Sequence, residues 1–333
     1  MKTPTISVII PAYNVEHTII KTITSVQAQT FLNWELIVIN DGSTDESLQL
    51  LNEIKDSRLK VFSYQNGGLA VARNRGINHA MGEFIAFLDA DDLWTPDKLE
   101  LQLEALQKNP EAGVAYSWTY FMQEKGKYFH TDRPLFFEGN VFANLLTNNF
   151  IASGSNPLIR KQAIESVGEF DPLVSGAADW DYWLRLAARW QFVVVPKAQI
   201  FYRLSSNSMS SQIEFMEECQ LRVIERAFQS IPRELQFLKN QSIAYIYQYS
   251  FQLCLTRIPG VKGVKKAEAK ILKAVQIYPK ILLHPKTQKL LVKLVLKQIM
   301  TPQVAEYLLQ SISILRANHT QYLKNDKKQT WPT

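Results

Sequence analysis

Cysteine is nearly absent and no long apolar run occurs. Only Cys219 and Cys254 are found in 333 residues, too few and too far apart for a disulfide framework or a cysteine-based zinc site, so a reducing compartment is expected. The N-terminus lacks the apolar core of a signal peptide, because Ile6 to Ile10 runs straight into Pro11. No stretch approaches the ~20 uninterrupted apolar residues that span a bilayer. The expectation is a cytoplasmic protein, soluble or peripheral on the inner face of the plasma membrane. Neither GxGxxG nor a Walker A lysine loop is present, which removes the main support for the common dinucleotide and P-loop readings. Fixed-period repeats and low-complexity tracts are also missing.

What remains is an ordinary globular composition, 46% hydrophobic and 20% charged, long enough for one large domain or two modest ones. The net charge of +6 conceals a division: residues 212–333 hold 19 Lys and Arg against 8 Asp and Glu, a net of +11, which leaves 18 and 23, a net of −5, for residues 1–211. The two parts are expected to meet different partners.

Residues 1–211 alternate short β-rich runs with helical patterns, the signature of βαβ units and a mostly parallel sheet. Strands are predicted at Ser7 to Ile10, stopped by Pro11, at Glu35 to Ile39, at Lys60 to Tyr64 and at Phe84 to Leu88, with later ones at Val114 to Phe121 and Gln191 to Pro196. Helices are predicted over about 16–28, from a Ser43/Glu46 capping box to about Lys55, from the Asn66-Gly67-Gly68 loop through Met81, from Thr95 as N-cap and Pro96 at the first helical position to Lys108, and over about 181–189. Beyond Ser211 strand signals stop. Helices broken at Pro232, Pro259-Gly260, Pro279, Pro285 and Pro302 are expected to about Tyr322, with a frayed tail from Lys324.

In open α/β sheets ligands bind at the carboxyl ends of the strands, and the polar residues gather there. Asp89-Ala90-Asp91-Asp92 follows the fourth strand. Hard carboxylate oxygens suit Mg²⁺ or Mn²⁺, and a divalent cation can bridge them to an anionic diphosphate; the competing reading is a helix entry whose aspartates cap local amides. Asp41-Gly42-Ser43-Thr44-Asp45 is either a turn and helix cap or a carboxylate that accepts hydrogen bonds from a base ring, with Tyr13 against that ring. Asp179 and Asp181 precede the apolar run Trp183-Leu184, so each is an N-cap candidate or a general base for an attacking hydroxyl.

Six segments, taken in order, resemble the family 2 glycosyltransferases of the GT-A fold: Ser7 to Asn14, Asn40 to Asp45, Ala72-Arg73-Asn74-x-Gly76, Phe87 to Asp92, Val167 to Asp171, and Asp179 to Leu186, ending at Tyr202-Arg203. The resemblance covers residues 5–211 and not the rest. It implies a Rossmann-like mixed, mostly parallel sheet flanked by helices over residues 1–211, divided into a nucleotide-sugar half (1–110) and an acceptor half (111–211), ahead of the basic helical region 212–323 and the tail 324–333. Pro11, Ala12, Tyr13, Glu16 and Asp41 would line the nucleotide base site, usually for uracil, and Arg73 would reach the donor phosphates or sugar. Asp89 and Asp91 correspond to the DxD motif, Asp91 as direct ligand of Mn²⁺ or Mg²⁺ and Asp89 toward the sugar or ribose, with Asp92 a ligand or a residue behind it. Asp179 would be the catalytic base of an inverting single displacement. Two departures stand out: the Glu expected before the base is Ala178, and the histidine expected in the Tyr-Arg-x-His pattern is Ser205.

The implied activity is transfer of a sugar from a nucleotide diphosphate, expected to be UDP, to a glycan or lipid-linked acceptor. Ala178 and Ser205 favour a different class, a non-catalytic sugar-nucleotide-binding or scaffold subunit of a glycan assembly complex. A nucleotidyltransferase would lack its glycine- and lysine-rich triphosphate loop. In residues 286–300, Lys286, Lys289, Lys293 and Lys297 share one helical face while Leu290, Leu291, Leu294, Val295 and Ile299 crowd the others. Such a helix lies in an anionic membrane surface or packs in a bundle with its lysines in water. No nucleic-acid-binding motif accompanies the basic residues. Loops near Asn148 to Ser155 are expected to shape the acceptor site, and the oligomeric state is not encoded legibly.

Overall fold

Both faces of β1 (Ile6–Ala12) and β2 (Trp34–Asn40) are buried along their whole length, which is why these runs are continuously apolar rather than alternating. In the computed structural model, which describes residues 3–123, 128–130, 135–204, 212–300 and 304, they are neighbouring inner strands of a nine-stranded mixed sheet. With β3 (Leu59–Ser63) and β4 (Phe84–Phe87) they make a parallel set ordered β3-β2-β1-β4, connected through α1 (Ile19–Gln27), α2 (Ser47–Glu53) and α3 (Leu69–His79). The chain continues through β5 (Leu93–Trp94), α4 (Lys98–Lys108), β6 (Ala112–Gln123), β7 (Tyr128–His130), α5 (Phe142–Thr147), β8 (Leu158–Arg160) and α6 (Lys161–Val167). A 3₁₀ helix, Pro172–Ala177, leads into α7 (Ala178–Ala187) and the long β9 (Gln191–Leu204). The sheet extends as β4-β8-β6-β9-β5, with β8 antiparallel to both neighbours and β6 parallel to β9.

The chain divides into two compact units, residues 1–242 and 243–333. The first takes in α8 (Ile213–Ser230), so it extends past the boundary expected at residue 211. After a 3₁₀ helix (Arg233–Leu238), the rest is helical: α9 (Lys239–Arg257), α10 (Gly260–Ile277), a 3₁₀ helix (Pro279–Leu283) and α11 (Pro285–Ile299). Breaks fall at Pro232, Pro259, Pro279 and Pro285, where the missing N–H and fixed φ favour helix starts over interiors. The predicted break at Pro302, the helix to Tyr322 and the tail from Lys324 lie outside the described residues.

Several local expectations are corrected. β1 runs through Pro11 instead of stopping there. Ile9 and Pro11 face the β4 side, and pairing with β4 ends at Ile9–Phe87, so the missing Pro11 N–H costs no ladder bond. The Ser43/Glu46 capping box does not form. Ser43 Oγ instead accepts from Asn14 N at 3.1 Å, and α2 begins only at Ser47, whose N–H is taken by Asp45 Oδ1 at 3.0 Å. Thr95 is likewise no N-cap, because its N–H bonds Gln199 O at 2.9 Å and its hydroxyl bonds Asp97. β9 passes through Pro196 by a shift in register against β6, between the Tyr116–Val194 and Trp118–Ala198 pairs.

Candidate active site

The carboxyl ends of β1, β2 and β4 meet on one edge of the sheet, and their loops are laced together. Asn14 Oδ1 accepts from Thr44 N at 2.8 Å, Glu16 N donates to Asp45 Oδ2 at 3.1 Å, and Glu16 Oε2 accepts from Glu46 N at 2.9 Å. Asn14 has φ +51, a conformation asparagine tolerates better than most side chains. Pro11 and Ala12 are buried in the strand end, whereas Tyr13 is 51% exposed. Glu16 is thus tied to the start of α2 as well as bordering the expected base site.

Asp41 closes β2 and is buried. Its carboxylate accepts from Gly67 N at 3.0 and 3.1 Å, from Gly68 N at 2.8 Å and from Arg75 Nη1 at 2.7 Å. Arg75 also lies 4.6 Å over the Tyr64 ring. Sequence reasoning passed over Arg75, which occupies the variable position of its motif; its placement about two helical turns after the glycine loop was the available signal.

Arg73 is brought over the end of β4 by the close seating of α3 on β1. A Cβ at Gly76 would lie 2.2 Å from Ile9 Cγ2, so only glycine permits that approach. The Arg73 guanidinium is buried, donates to Asp89 Oδ1 at 2.7 Å, and stands 5.3 Å from the Phe170 ring centre. Its Nε has no hydrogen-bond partner. Asn74 fixes the opposite wall by reciprocal bonds with Phe170, donating to its O and accepting from its N, each at 2.9 Å.

The Asp89–Asp92 turn separates into two roles. Asp89 and Asp91 are only partly buried. Burial, and next the Asp89 charge, push the Asp91 carboxyl up to about 6, with Arg203 opposing. Asp92 is fully buried, accepting from Ser155 Oγ at 2.6 Å, Ser153 Oγ at 3.3 Å and Arg203 N at 2.9 Å. Both of its oxygens are committed to the protein, so Asp92 stands behind the turn, and of the three carboxylates expected at a metal only Asp89 and Asp91 keep an open side. Its carboxyl is raised well above the usual range by burial and by Asp91 and Asp89. Arg203 closes the arrangement by donating from Nε to Asp91 O at 2.8 Å.

Among the described residues no three Asp, Glu, His or Cys side chains cluster as metal ligands. Two carboxylates are nevertheless what Mg²⁺ or Mn²⁺ commonly takes from a protein when phosphates and water complete its shell. The mutual repulsion that raises Asp91 is the kind a divalent cation relieves.

Asp179 and Asp181 are both in the first turn of α7, and neither is its N-cap, which is Ala177. They diverge in role. Asp181 pairs with Arg185 at 2.9 Å and faces Arg226 of α8 at 4.0 Å, a structural link. Asp179 Oδ1 accepts from Trp180 N at 2.7 Å. Burial raises its carboxyl above the ordinary range; Arg73, the Trp180 N–H and the neighbouring Asn149 side chain pull it down and Asp89 pushes it up. Residues 73, 89 and 179 therefore share one electrostatic neighbourhood although 106 positions separate the first from the last. Ala178 is buried beside Asp179, and Ser205 lies outside the described residues.

The family model described as "Glycosyltransferase like family 2" matches residues 7–252. The chain belongs to this glycosyltransferase family. TuaG of Bacillus subtilis, a glycosyltransferase provisionally assigned to teichuronic acid biosynthesis, is 33% identical over 219 residues, covering 62% of this chain and 82% of TuaG. The Escherichia coli UDP-Glc:alpha-D-GlcNAc-diphosphoundecaprenol beta-1,3-glucosyltransferase WfgD is 47% identical over 105 residues, 31% of this chain and 42% of WfgD. An uncharacterized glycosyltransferase of Rickettsia felis is 44% identical over 144 residues, 42% of this chain, and the match spans only 23% of that longer relative. In fold, this family 2 chain resembles S. aureus TarS 1–349 in complex with UDP-GlcNAc, with TM-score 0.59 and 21% identity over 84% of this chain and 82% of that one. It also resembles the mannosyltransferase PcManGT from Pyrobaculum calidifontis in complex with GDP-Man and Mn²⁺, with TM-score 0.58 and 18% identity over 89% and 87% of the two chains.

Proposed function

We propose that the chain is an inverting glycosyltransferase that moves a sugar from a nucleoside diphosphate, UDP in the first instance, to a hydroxyl of a glycan or lipid-linked acceptor in cell-envelope polysaccharide synthesis. The observation that carries this reading is the meeting of Arg73, Asp89 and Asp179, from α3, the β4 end and α7, at one edge of a family 2 sheet. WfgD, which matches 105 residues of the chain, is named for a UDP-Glc donor, a diphosphoundecaprenol-linked acceptor and a β-linkage.

The β1 and β2 ends, with exposed Tyr13, receive the nucleoside, and Asp41, its oxygens taken by Gly67, Gly68 and Arg75, anchors the glycine loop beside it instead of meeting the base directly. Arg73 supports Asp89 against the donor, and its buried charge favours an anionic ligand. Asp179 takes the proton from the acceptor hydroxyl; that oxygen attacks the anomeric carbon, and the bond to the diphosphate breaks with the electron pair leaving on the nucleotide. A divalent cation, Mn²⁺ or Mg²⁺, held by Asp91 with Asp89 beside it, supplies neutralisation of the leaving diphosphate when bound. The high pKa that burial gives Asp179 suits proton acceptance in a dry site.

Among the described residues no helix is long and apolar enough to cross a membrane. We further propose that α11 contacts an anionic membrane surface, consistent with a lipid-linked acceptor. α11 buries Thr287, Leu290 and Leu294 and leaves Val292, Val295 and Ile299 outward, while residues 243–300 carry eleven Lys and Arg against Glu268 alone. A thermal-shift panel of UDP-, GDP- and dTDP-sugars with Mn²⁺ or EDTA tests donor and metal together: metal-dependent stabilisation by one nucleotide class is expected, and none with any class contradicts the reading.

A further inference from the structure

Between α5 and β8, residues 149–155 touch all three parts of the candidate active site. The Asn149 side chain lies close enough to Asp179 to lower its pKa, and its own buried Oδ1 has no hydrogen-bond partner. Gly154 lies so close to Arg73 that a Cβ there would stand 2.3 Å from Nη2. The Ser155 hydroxyl accepts from Asp89 N at 3.0 Å and donates to Asp92 Oδ2 at 2.6 Å, bridging the first and last residues of the Asp89–Asp92 turn.

The segment is held from behind. Trp94 Nε1 donates to Ser155 O at 2.9 Å, and Ser155 N donates to Ser153 Oγ at 3.0 Å. The fully buried Asn156 pins it to β6, donating to Ser117 O at 2.7 Å and accepting from Ser117 N at 2.8 Å, while also donating to Ile151 O at 3.1 Å. Ala152 has φ +68, a left-handed conformation costly for a residue with a Cβ. Such local strain persists where surrounding contacts over-determine it, and it concentrates at functional sites.

We propose that residues 149–155 form a strap that sets the position of the Asp89–Asp91 carboxylates relative to Asp179, with Ser155 as its positioning residue. This goes beyond the acceptor-shaping role expected of the loop, and it rests on the glycosyl-transfer reading. Ser155 is fully buried. It acts through Asp89, whose main-chain N–H it receives, and through Asp92, which it orients. Removing the hydroxyl leaves a buried N–H and a buried carboxylate each short of a partner, and allows the turn to shift by the few tenths of an ångström that matter at a metal-and-base site.

The test compares wild type with Ser155→Ala, Ser155→Cys and Ser155→Thr. Binding of UDP, GDP and dTDP is followed by calorimetry across a Mn²⁺ titration, alongside kcat, KM and melting temperature. Ser155→Ala should raise the Mn²⁺ concentration for half-maximal nucleotide binding about tenfold and lower kcat by a similar factor, the scale typical when a partner behind a metal ligand is removed. Donor KM at saturating Mn²⁺ should change little. Ser155→Thr, which keeps the hydroxyl, should recover most of both. Ser155→Cys, close in size but a poor hydrogen-bonding group, should follow Ser155→Ala and serves if the alanine variant fails to fold. Equal Mn²⁺ dependence and kcat in wild type and Ser155→Cys would overturn the strap. So would a fall in activity that merely follows the folded fraction. If wild type binds no nucleotide with Mn²⁺, the glycosyl-transfer reading fails and the strap with it, whereas wild-type binding matched by the variants removes the strap alone.

Discussion

Arg73 donates to Asp89 Oδ1 at 2.7 Å from a side chain only 3% exposed, so this cation is held inside the protein rather than offered from its surface. Phe170 and Phe87 flank it, and Gly154 leaves the room its guanidinium needs. Arg73→Lys keeps the charge but loses the planar fork and the stacking. We expect kcat/KM to fall about 100-fold, the scale of losing one well-placed donor in a dry site, with the circular dichroism spectrum unchanged. Activity within threefold of wild type would show that charge alone suffices.

Asp91 gives a pH signature with a definite sign. Its folded pKa of about 6 is above the unfolded value near 3.9, so between those limits the folded state binds more protons, and this group's contribution to stability falls as pH rises through about 6. In metal-free protein, Asp91→Asn should therefore gain melting temperature over wild type as pH rises from 4 to 7, and Mn²⁺ with nucleotide should stabilise only wild type. Parallel melting curves for the two across that range would contradict the repulsion argument.

Much of this was legible in the sequence, and the misses share a cause. The β1, β2 and β4 runs and the helix breaks at Pro232, Pro259, Pro279 and Pro285 are local signals, and they hold. The Ser43/Glu46 capping box was a sound local pattern, but Ser43 is drawn to Asn14 and Glu16 caps Glu46 instead. The Asp89–Asp92 block was found as a cluster. That Asp92 faces Ser153 and Ser155 rather than solvent depends on residues more than 60 positions away. Asn149, Gly154 and Ser155 carried no motif, because their role exists only once β8 has paired with β4.

Lys98 offers a check on the core, independent of the site. Its side chain is fully buried, its Nζ lies 3.9 Å from the Trp94 ring centre with no hydrogen-bond partner, and burial drives its pKa well below the usual value. Below about pH 10.4 the unfolded chain holds a proton that the folded one resists, so the stability contributed here rises with pH up to that point. Lys98→Met should raise the melting temperature at pH 7, and the gain should shrink by pH 10. A loss of stability at pH 7 would mean the ammonium has compensation not visible in its surroundings.

For α11, the full chain should co-float with vesicles containing phosphatidylglycerol and not with phosphatidylcholine alone, with binding weakened by salt. The double variant Val292→Asp, Ile299→Asp changes two exposed positions and should abolish co-flotation while leaving the melting temperature nearly unchanged. Equal recovery of wild type and variant would leave α11 as a bundle helix only.

The central claim is that Asp179 is the base of a metal-assisted sugar transfer. Nucleoside diphosphate release from the sugar nucleotide selected by thermal shift, measured with Mn²⁺ and acceptor for wild type and Asp179→Asn, tests it most directly. Wild type should turn over, while Asp179→Asn should bind nucleotide and Mn²⁺ normally and release at least about 100-fold less, the scale of losing a general base. Equal release by both would contradict the assignment of the base, and nucleotide binding without release by wild type would favour a non-catalytic sugar-nucleotide-binding subunit.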